Sequence, residues 1–207
     1  MKNDRPSVHN NLGLSYFEKG EFEEALTHYT KAINHDKNSA VHYNNRGLAN
    51  YHINKLNDAK ADFDKAIELD PNDPTIIFNR GNVYLNWDTD GMGGGKQYEK
   101  AIADYDHAIS IAPNNAKLWH AKGLAYESKA EDIYNKTGIQ NPELNALAIE
   151  MYEQALKLQE NFISSRFHLG LMYHKTNQFQ DALKCFSKVL LKIPMDKTVY
   201  SSRGVVY

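Results

Sequence analysis

The side chains that most often carry out chemistry in proteins are sparse and scattered along this chain. Nine histidines occur in 207 residues. No two stand four positions apart, the spacing at which two imidazoles on one helix share a metal ion. Cys185 is the only cysteine, which excludes an internal disulfide and a cysteine zinc site. The carboxylates alternate with lysines, as on a solvated helix surface. We therefore predict no catalytic site, no metal site and no cofactor.

One short segment, residues 88–95, combines acidic residues with four glycines. A phosphate-binding loop requires a glycine, four residues, and then Gly-Lys followed by Ser or Thr. Here the spacing is one residue short and Gln97 follows the lysine, so that interpretation fails. A calcium loop requires alternating oxygen ligands and a closing Glu. Asn86, Asp88 and Asp90 supply the first half, but Gln97 occupies the closing position. We disfavour calcium and expect a mobile linker, because glycine loses much backbone entropy in a helix.

Small and aromatic residues recur along the chain at a regular spacing, and this spacing predicts where the helices lie. A repeat glycine stands at Gly13, Gly47, Gly81, Gly123, Gly170 and Gly204. An Ala, aromatic, Ala (or Val) set follows as Ala25, Tyr29, Ala32; Ala59, Phe63, Ala66; Ala101, Tyr105, Ala108; Ala148, Tyr152, Ala155; and Ala182, Phe186, Val189. The glycine steps are 34, 34, 42, 47 and 34, so two repeats carry insertions. Two amphipathic patterns flank a polar turn in each repeat, which predicts a solenoid of helical hairpins.

The pattern resembles the tetratricopeptide repeat family, whose repeat runs aromatic, Leu-Gly, Tyr, Ala, aromatic, Ala and Pro. The tyrosine position holds Tyr16, Tyr84, Tyr126, Tyr173 and Tyr207, and the closing proline is present as Pro71, Pro113 and Pro194. The resemblance covers about residues 6–207. It implies an all-α, right-handed superhelical solenoid of antiparallel helix pairs, with five full repeats and one half repeat.

The repeat boundaries predict a single solenoid over residues 1–207. The repeats fall at about 6–39, 40–73, 74–115, 116–162 and 163–196, with a half repeat at 197–207. The third contains the glycine-rich insertion 88–97, and the fourth contains a lengthened helical hairpin, 128–147, for which a self-packed extension is favoured over a docking element. The apolar final residues do not provide the polar face of a terminal helix. We therefore expect the chain to be a segment of a longer array.

The resemblance implies that the first helix of each repeat lines a concave groove. Its predicted lining residues are Asn10, Asn11, Leu14, Phe17, Asn44, Asn45, Leu48, Tyr51, Phe78, Asn79, Asn82, Leu85, His120, Ala121, Leu124, Glu127, Phe167, His168, Leu171 and His174. Asn11, Asn45 and Asn79 share one repeat position. A carboxamide donates and accepts, so a row of them can hold a peptide backbone. This is similar to the asparagine ladder in the repeat arm of O-linked N-acetylglucosamine transferase. The alternative is that these asparagines bond neighbouring helices.

A second groove known in the family clamps the acidic C-terminal tails of cytosolic chaperones with lysine, arginine and asparagine. The matching positions here are Asn10, Leu14, Asn45, Thr75 and Asn79, of which only Asn45 fits. A ligand with two carboxylates would find no forked cationic partner. We therefore disfavour these tails as partners.

Charge and hydropathy narrow the partners further. The net charge of −2 argues against nucleic acid, which usually selects a strong basic excess. Seven Lys/Arg against two Asp/Glu in residues 163–207 are interpreted as a solvated basic end rather than a binding patch. No apolar run reaches the ~18–20 residues of a membrane span, and the first residues do not resemble a signal peptide. We expect a cytoplasmic protein with no membrane or nucleic-acid partner.

These observations favour a non-enzymatic module that holds an extended or helical protein segment in its groove. One alternative is a structural scaffold, in a large and even cytoskeletal or ciliary assembly, that uses its edges, its convex face and the inserted hairpin. Another is a substrate-recruiting arm of an enzyme whose catalytic domain lies outside these residues.

Overall fold

A computed structural model describes residues 5–87, 96–193 and 197–204. Eleven helices and no strands occur in these ranges. The helices are α1 (Pro6–Glu18), α2 (Phe22–His35), α3 (Ala40–His52), α4 (Leu56–Leu69), α5 (Pro74–Leu85), α6 (Tyr98–Ile111), α7 (Ala116–Thr137), α8 (Pro142–Leu158), α9 (Ile163–Lys175), α10 (Phe179–Leu190) and α11 (Lys197–Gly204). Residues 88–95, on which the calcium and linker predictions fall, lie outside the description, as do Pro194 and the last three residues. The predicted all-α fold of packed helix pairs is confirmed.

The chain divides into two compact units, Met1–Ile111 and Ala112–Tyr207. In the first unit, α1 packs on α2, α3 on α4 and α5 on α6, and each pair also contacts the next. In the second unit, α7 packs on α8, α9 on α10, and α8 on α9, with α11 against α10. Each unit is therefore a stack of antiparallel hairpins, because neighbouring helices in the sequence are also neighbours in space.

The hairpins close because a glycine of the first helix faces an aromatic ring of the second. A Cβ built on Gly81 would lie 2.7 Å from the Tyr105 ring, and one on Gly47 would lie 2.9 Å from the Phe63 ring. Both rings are fully buried. The same contact recurs in the pairs Gly13–Tyr29, Gly123–Tyr152 and Gly170–Phe186. The glycine is therefore the space into which the ring fits, and this explains the recurrence seen in the sequence.

The turn within each hairpin also has a repeated geometry. Gly20, Asn54 and Asn177 all lie seven positions after the repeat glycine, and all have left-handed backbone, with φ of 80°, 60° and 62°. Glycine and asparagine adopt this conformation most readily. The next residue then donates its N–H to a carbonyl five positions earlier, as in Lys55 to Asn50 at 2.9 Å. These turns fix the angle between the paired helices.

The third hairpin keeps that closing bond despite its insertion. The Gln97 N–H donates to the Tyr84 carbonyl at 3.0 Å, and Tyr84 occupies the same repeat position as Asn50. The flanking helices α5 and α6 therefore pair as the helices of the other hairpins do.

The fourth hairpin is longer than the rest. Helix α7 has 22 residues and α8 has 17, whereas the first helices of the other four full hairpins have 12 or 13. Gly138 ends α7 in a left-handed conformation with φ of 70°, and its N–H donates to the Tyr134 carbonyl at 2.7 Å. The Asn141 side chain caps α8 by accepting from the Leu144 N–H at 3.0 Å. Both ends of the tip are therefore defined by local capping.

Candidate functional site

The predicted lining residues of the first unit lie on α1, α3 and α5, the first helices of three consecutive hairpins. They are Asn10, Asn11, Leu14 and Phe17 on α1, Asn44, Asn45, Leu48 and Tyr51 on α3, and Phe78, Asn79, Asn82 and Leu85 on α5. Their burial is uneven. Asn11 is exposed and Leu14 is 43% exposed, whereas Asn79 and Leu85 are buried and the others are half-buried. Hydrogen bonds among the three helices join four of these side chains, Asn10, Asn44, Asn45 and Asn79.

The asparagines form bonds from one first helix to the preceding one. Asn45 Nδ2 donates to Asn10 Oδ1 at 3.0 Å, and Asn79 Nδ2 donates to Asn44 Oδ1 at 2.9 Å. Asn44 Nδ2 in turn donates to Asn45 Oδ1 at 3.4 Å. Of the three proposed ladder residues, Asn45 and Asn79 therefore each donate one hydrogen bond to the preceding first helix. Only Asn11 presents an exposed carboxamide.

Two further contacts extend this network along the same helices. The buried His42 ring places Nδ1 3.2 Å from Asn10 Oδ1, so two side chains of α3 contact one carboxamide of α1. At the other end of α3, the Tyr51 hydroxyl accepts from Asn86 Nδ2 at 2.7 Å. Burial raises the pKa of Tyr51, so its hydroxyl stays protonated and can still donate to a ligand.

Two predicted lining residues of α5, Asn82 and Phe78, also contact the buried side chain of Tyr105. The Tyr105 hydroxyl donates to Asn82 Oδ1 at 2.8 Å, and Phe78 packs against the Tyr105 ring at 5.9 Å between centroids. Burial raises the pKa of Tyr105 far above its ordinary value. Asn82 and Phe78 therefore hold the α5–α6 pair together, and only part of each side chain faces outward.

Ion pairs fix the first helices against the second ones. Arg46 forms a two-pronged pair with the buried Asp62, with Nη2 2.6 Å and Nε 3.0 Å from its oxygens. Arg80 does the same with the buried Asp104, at 2.6 and 2.8 Å, and also bonds Asp64 of α4 at 2.8 Å. These carboxylates hold the pKa of Arg80 above its usual range. The first helices α3 and α5 are thus held against the second helices by ion pairs as well as by packing.

In the second unit, the predicted residues lie on α7 and α9, and four polar side chains meet there in two pairs. His120 Nδ1 lies 3.0 Å from Ser165 Oγ, and His168 Nδ1 lies 3.0 Å from Glu127 Oε2. The Tyr152 hydroxyl of α8 donates to the same Glu127 oxygen. The His120 ring also contacts the Phe162 ring, with centroids 4.9 Å apart.

This cluster does not form a catalytic relay. Burial, with a smaller effect from His168, lowers the pKa of His120 to about 4, so it is neutral at pH 7. Its Ser165 partner is fully buried and cannot meet a substrate. The Glu127 carboxylate contacts His168 rather than His120, so no histidine joins a serine to a carboxylate. Among the residues described, no group of three or more His, Cys, Asp or Glu side chains is placed to hold a metal ion.

The remaining predicted residues of the second unit pack partly into the core. Leu124 contacts the cluster around Tyr152, and Leu171 and Phe167 contact the cluster around Phe186. They are half-buried, as is His174, whose ring packs against Phe179 at 5.7 Å. Ala121, also predicted to line the groove, is buried. These side chains of α7 and α9 therefore leave less apolar area outside than the sequence suggested.

Two partners in these networks, His42 and Ser165, were not among the predicted lining residues. Both stand five positions before the repeat glycine of their helix. Each contacts the residue three positions before the preceding repeat glycine, which is Asn10 in one unit and His120 in the other. The other repeats hold Val8, Ile76, Leu118 and Val199 at this position, so no recurring polar residue marks it in the sequence. The two contacts were visible only in the structure, because they depend on how the helices pack.

The sequence-family comparison agrees with this architecture. Family models described as "TPR repeat" match residues 13–53 and 95–129. Models described as "Tetratricopeptide repeat" match residues 40–73, 63–103 and 163–191. The chain therefore belongs to the tetratricopeptide repeat family. Comparison with curated protein sequences gives no significant match.

Solved structures of several repeat proteins share the fold. MamA residues 41 to the end, from Desulfovibrio magneticus RS-1, is 24% identical with a TM-score of 0.73, covering 93% of this chain and 97% of that one. TTC0263, a thermophilic TPR protein of Thermus thermophilus, is 18% identical with a TM-score of 0.68, covering 97% and 98%. YrrB, described as a TPR protein with an unusual peptide-binding site, is 16% identical with a TM-score of 0.66, covering 95% and 91%. At these identities the likeness establishes the fold alone.

No helix in the described part of the chain has both the length and the apolarity that a membrane crossing requires.

Proposed function

We propose that this protein is a non-enzymatic interaction module, and that the row of first helices α1, α3 and α5 binds an extended or helical segment of a partner protein. The family to which the chain belongs acts in protein–protein interaction, which supports the general class. The observation that carries the finer proposal is the hydrogen-bonded amide network of Asn10, Asn44, Asn45 and Asn79. The net charge of −2 favours a protein ligand over nucleic acid.

The network supports binding because it holds polar groups in fixed positions before a ligand arrives. A carboxamide has two donor hydrogens and two acceptor lone pairs, so one bond to a neighbouring helix leaves capacity for a ligand. Side chains ordered in advance lose less conformational entropy on binding. In this proposal Asn45 and Asn79 act mainly as supports, and the exposed Asn11 is a direct contact.

Apolar surface lies beside these amides. Leu14 is 43% exposed one helical turn from Asn10 and Asn11, and Leu48 and Tyr51 are half-buried on the next first helix. A peptide can bury its own apolar side chains there while its backbone bonds the carboxamides. Such a combination of apolar contacts with a few fixed polar groups is typical of peptide-binding surfaces.

The test is a selection of 12-residue peptides displayed on phage against the intact protein, followed by affinity measurement on the wild type and two double variants. Asn11→Ala with Leu14→Ala removes exposed contacts that the fold does not need, so we expect at least about a tenfold loss of affinity with unchanged helicity. Asn57→Ala with Leu158→Ala, also exposed, is the matched control. Equal binding by all three proteins would refute the proposal.

A scaffold role has one specific observation in its favour. The tip of the α7–α8 hairpin exposes Tyr134 and Ile139, which are 42% and 69% accessible. Exposed apolar side chains that project from a fold favour contact with another protein. If the hairpin assembles a complex, Ile139→Asp will abolish co-purification of the assembly from cells while the selected peptides still bind the first helices. Retained co-purification would exclude the tip as an assembly surface.

A further inference from the structure

A cleft opens in the second unit on the surface between α8 and α10, with α9 as its floor. We call it the α8–α10 cleft. Its volume is about 470 Å³, and the middle of its lining is formed by Leu156 of α8, Leu169 of α9 and Cys185 of α10. Ligand pockets of proteins commonly measure about 300–1,000 Å³ and are mostly apolar with a few fixed polar groups. The α8–α10 cleft has this size and an apolar floor, and seven charged residues also line it.

The floor of the cleft is apolar because this repeat lacks the ion pair that the second and third repeats possess. The residue before the repeat glycine is Arg46 in the second repeat, and it pairs with Asp62, the residue before the aromatic ring. Arg80 and Asp104 make the equivalent pair in the third repeat. In the fifth repeat the same two positions hold Leu169 and Cys185. Two shorter, uncharged side chains therefore stand where a guanidinium and a carboxylate interlock elsewhere.

The charges around the floor are separated along the cleft. At one end, Glu153 accepts from the Tyr173 hydroxyl at 2.6 Å, and Asp181 pairs with Lys184 at 3.0 Å. These acidic groups are satisfied by neighbours. Because Lys184 is already paired with Asp181, a carboxylate ligand would find no unpaired cation at this end.

The opposite end is basic. Lys157 lies in the last turn of α8 and Lys188 in the last turn of α10, and both are exposed. Neither ammonium forms an ion pair with any residue the structure describes. Arg166 of α9 lines the same end and donates one bond to the Glu160 backbone carbonyl. The Glu160 carboxylate, which is exposed at the rim, is the single acidic side chain at this end of the lining.

We propose that the α8–α10 cleft binds a small organic carboxylate with an aromatic or branched alkyl body. The body packs on Leu156, Leu169 and Cys185, and the carboxylate lies between Lys157 and Lys188. A neighbouring depression, lined in part by Arg166, Lys188 and Lys192, continues from the basic end and leaves room for a substituent. The site belongs to the second unit alone and does not depend on the peptide-binding proposal for the first.

Cys185 supports this assignment and also provides a reporter. Burial raises the pKa of its thiol to about 11, so the sulfur is neutral at pH 7 and behaves as an apolar group. It is the only cysteine in the chain, so alkylation by N-ethylmaleimide reports on this cleft without mutagenesis. A ligand over the floor will cover the thiol and slow its reaction.

The experiment uses 2-naphthoate as the probe and 2-naphthamide, which has the same body without the charge, as its control. We expect saturable binding of 2-naphthoate by calorimetry, a slowing of Cys185 alkylation by at least about fivefold, and weaker binding of the amide. Lys188→Gln should lower 2-naphthoate affinity about two- to fivefold, as for a partly exposed ion pair, and leave amide affinity unchanged. Lys184→Gln, at the opposite end of the same cleft, is the matched control.

The decisive variant introduces the ion pair of the second and third repeats. Leu169→Arg combined with Cys185→Asp places a guanidinium and a carboxylate at the positions of Arg80 and Asp104, so it should keep the helicity and abolish 2-naphthoate binding. Equal affinity for acid and amide, unchanged binding by this variant, or no protection of Cys185 at 5 mM 2-naphthoate would each overturn the proposal. Protection by a phage-selected peptide but not by 2-naphthoate would overturn it in favour of a protein segment.

Discussion

The contact between Gly47 and Phe63 allows a sharp test of how the hairpins close. A methyl group on Gly47 would lie 2.9 Å from Phe63 Cε1 and 3.1 Å from its Cδ1 and Cζ. Unbonded carbons pack best at about 3.5–4.0 Å, so the new methyl overlaps the ring edge by roughly 0.5–1 Å. Phe63 is fully buried and cannot turn outward. Gly47→Ala must therefore displace either the ring or helix α3.

Two opposing effects determine how much Gly47→Ala changes the free energy of unfolding. Overpacking of a buried site costs about 1–3 kcal/mol. Replacing glycine by alanine inside a helix contributes about 0.8–1.0 kcal/mol of stability through helix propensity. We expect Gly47→Ala to lower the free energy of unfolding by about 0–2 kcal/mol, measured by urea denaturation followed by far-ultraviolet circular dichroism. Gly204→Ala in α11 is the control, because no atom lies within 4 Å of its Cβ position.

A double-mutant cycle identifies the ring as the cause. In a Phe63→Leu background the ring edge is gone, so Gly47→Ala should become neutral or stabilising, by up to about 1 kcal/mol. This change of sign is the result that the close approach requires. If Gly47→Ala stabilises the wild type, or has the same effect in both backgrounds, the explanation of the recurring glycine is wrong.

Three further perturbations test other parts of the structure. Arg80→Met leaves Asp104 buried without its cation, so we expect a loss of about 2–4 kcal/mol in the urea unfolding free energy, and a small loss would mean that Asp104 recruits another partner. The pKa of His120 is lowered to about 4, so the unfolded chain binds a proton that the folded chain does not between about pH 6.5 and 4. Stability should therefore fall as pH falls through that window, by about 1–2 kcal/mol from pH 7.5 to 5 after allowance for partial exposure, and His120→Gln should remove that part of the pH dependence. Asn141→Ala removes the side-chain cap of α8, so the melting temperature should drop by the equivalent of about 0.5–2 kcal/mol, and an unchanged melting curve would show that the tip is already frayed.

The pairing of helices was predictable from sequence because the recurring glycine has a single physical cause, the close approach of an aromatic ring. A ring such as Phe63 fits only where the opposite helix has no Cβ, so the interval between glycines marked the hairpins directly. The left-handed turn residues also followed the repeat, since Asn54 and Asn177 occupy the position of Gly20. Local conformation and close packing leave a signal at every repeat, even with insertions between them.

The roles of the asparagines could not be predicted in the same way. The interval of 34 residues placed Asn45 and Asn79 on the same face of two successive first helices. A side chain on that face can point to a ligand or to the preceding helix. The choice depends on the residue that the neighbouring helix offers, Asn10 in one case and Asn44 in the other. That partner lies 35 residues away, one position out of the repeat register, so alignment of identical positions does not reveal it.

The two units show that one geometry supports different chemistry at the same repeat positions. The contact between His42 and Asn10 in the first unit and the contact between Ser165 and His120 in the second join equivalent backbone positions. The first joins an imidazole to a carboxamide, and the second joins an imidazole to a hydroxyl. Burial lowers the pKa of both His42 and His120, so both rings are neutral at pH 7. A ligand bound to the first helices of the first unit should therefore meet an unchanged network between pH 7 and 8. A change of affinity within that range would contradict the neutral state of His42.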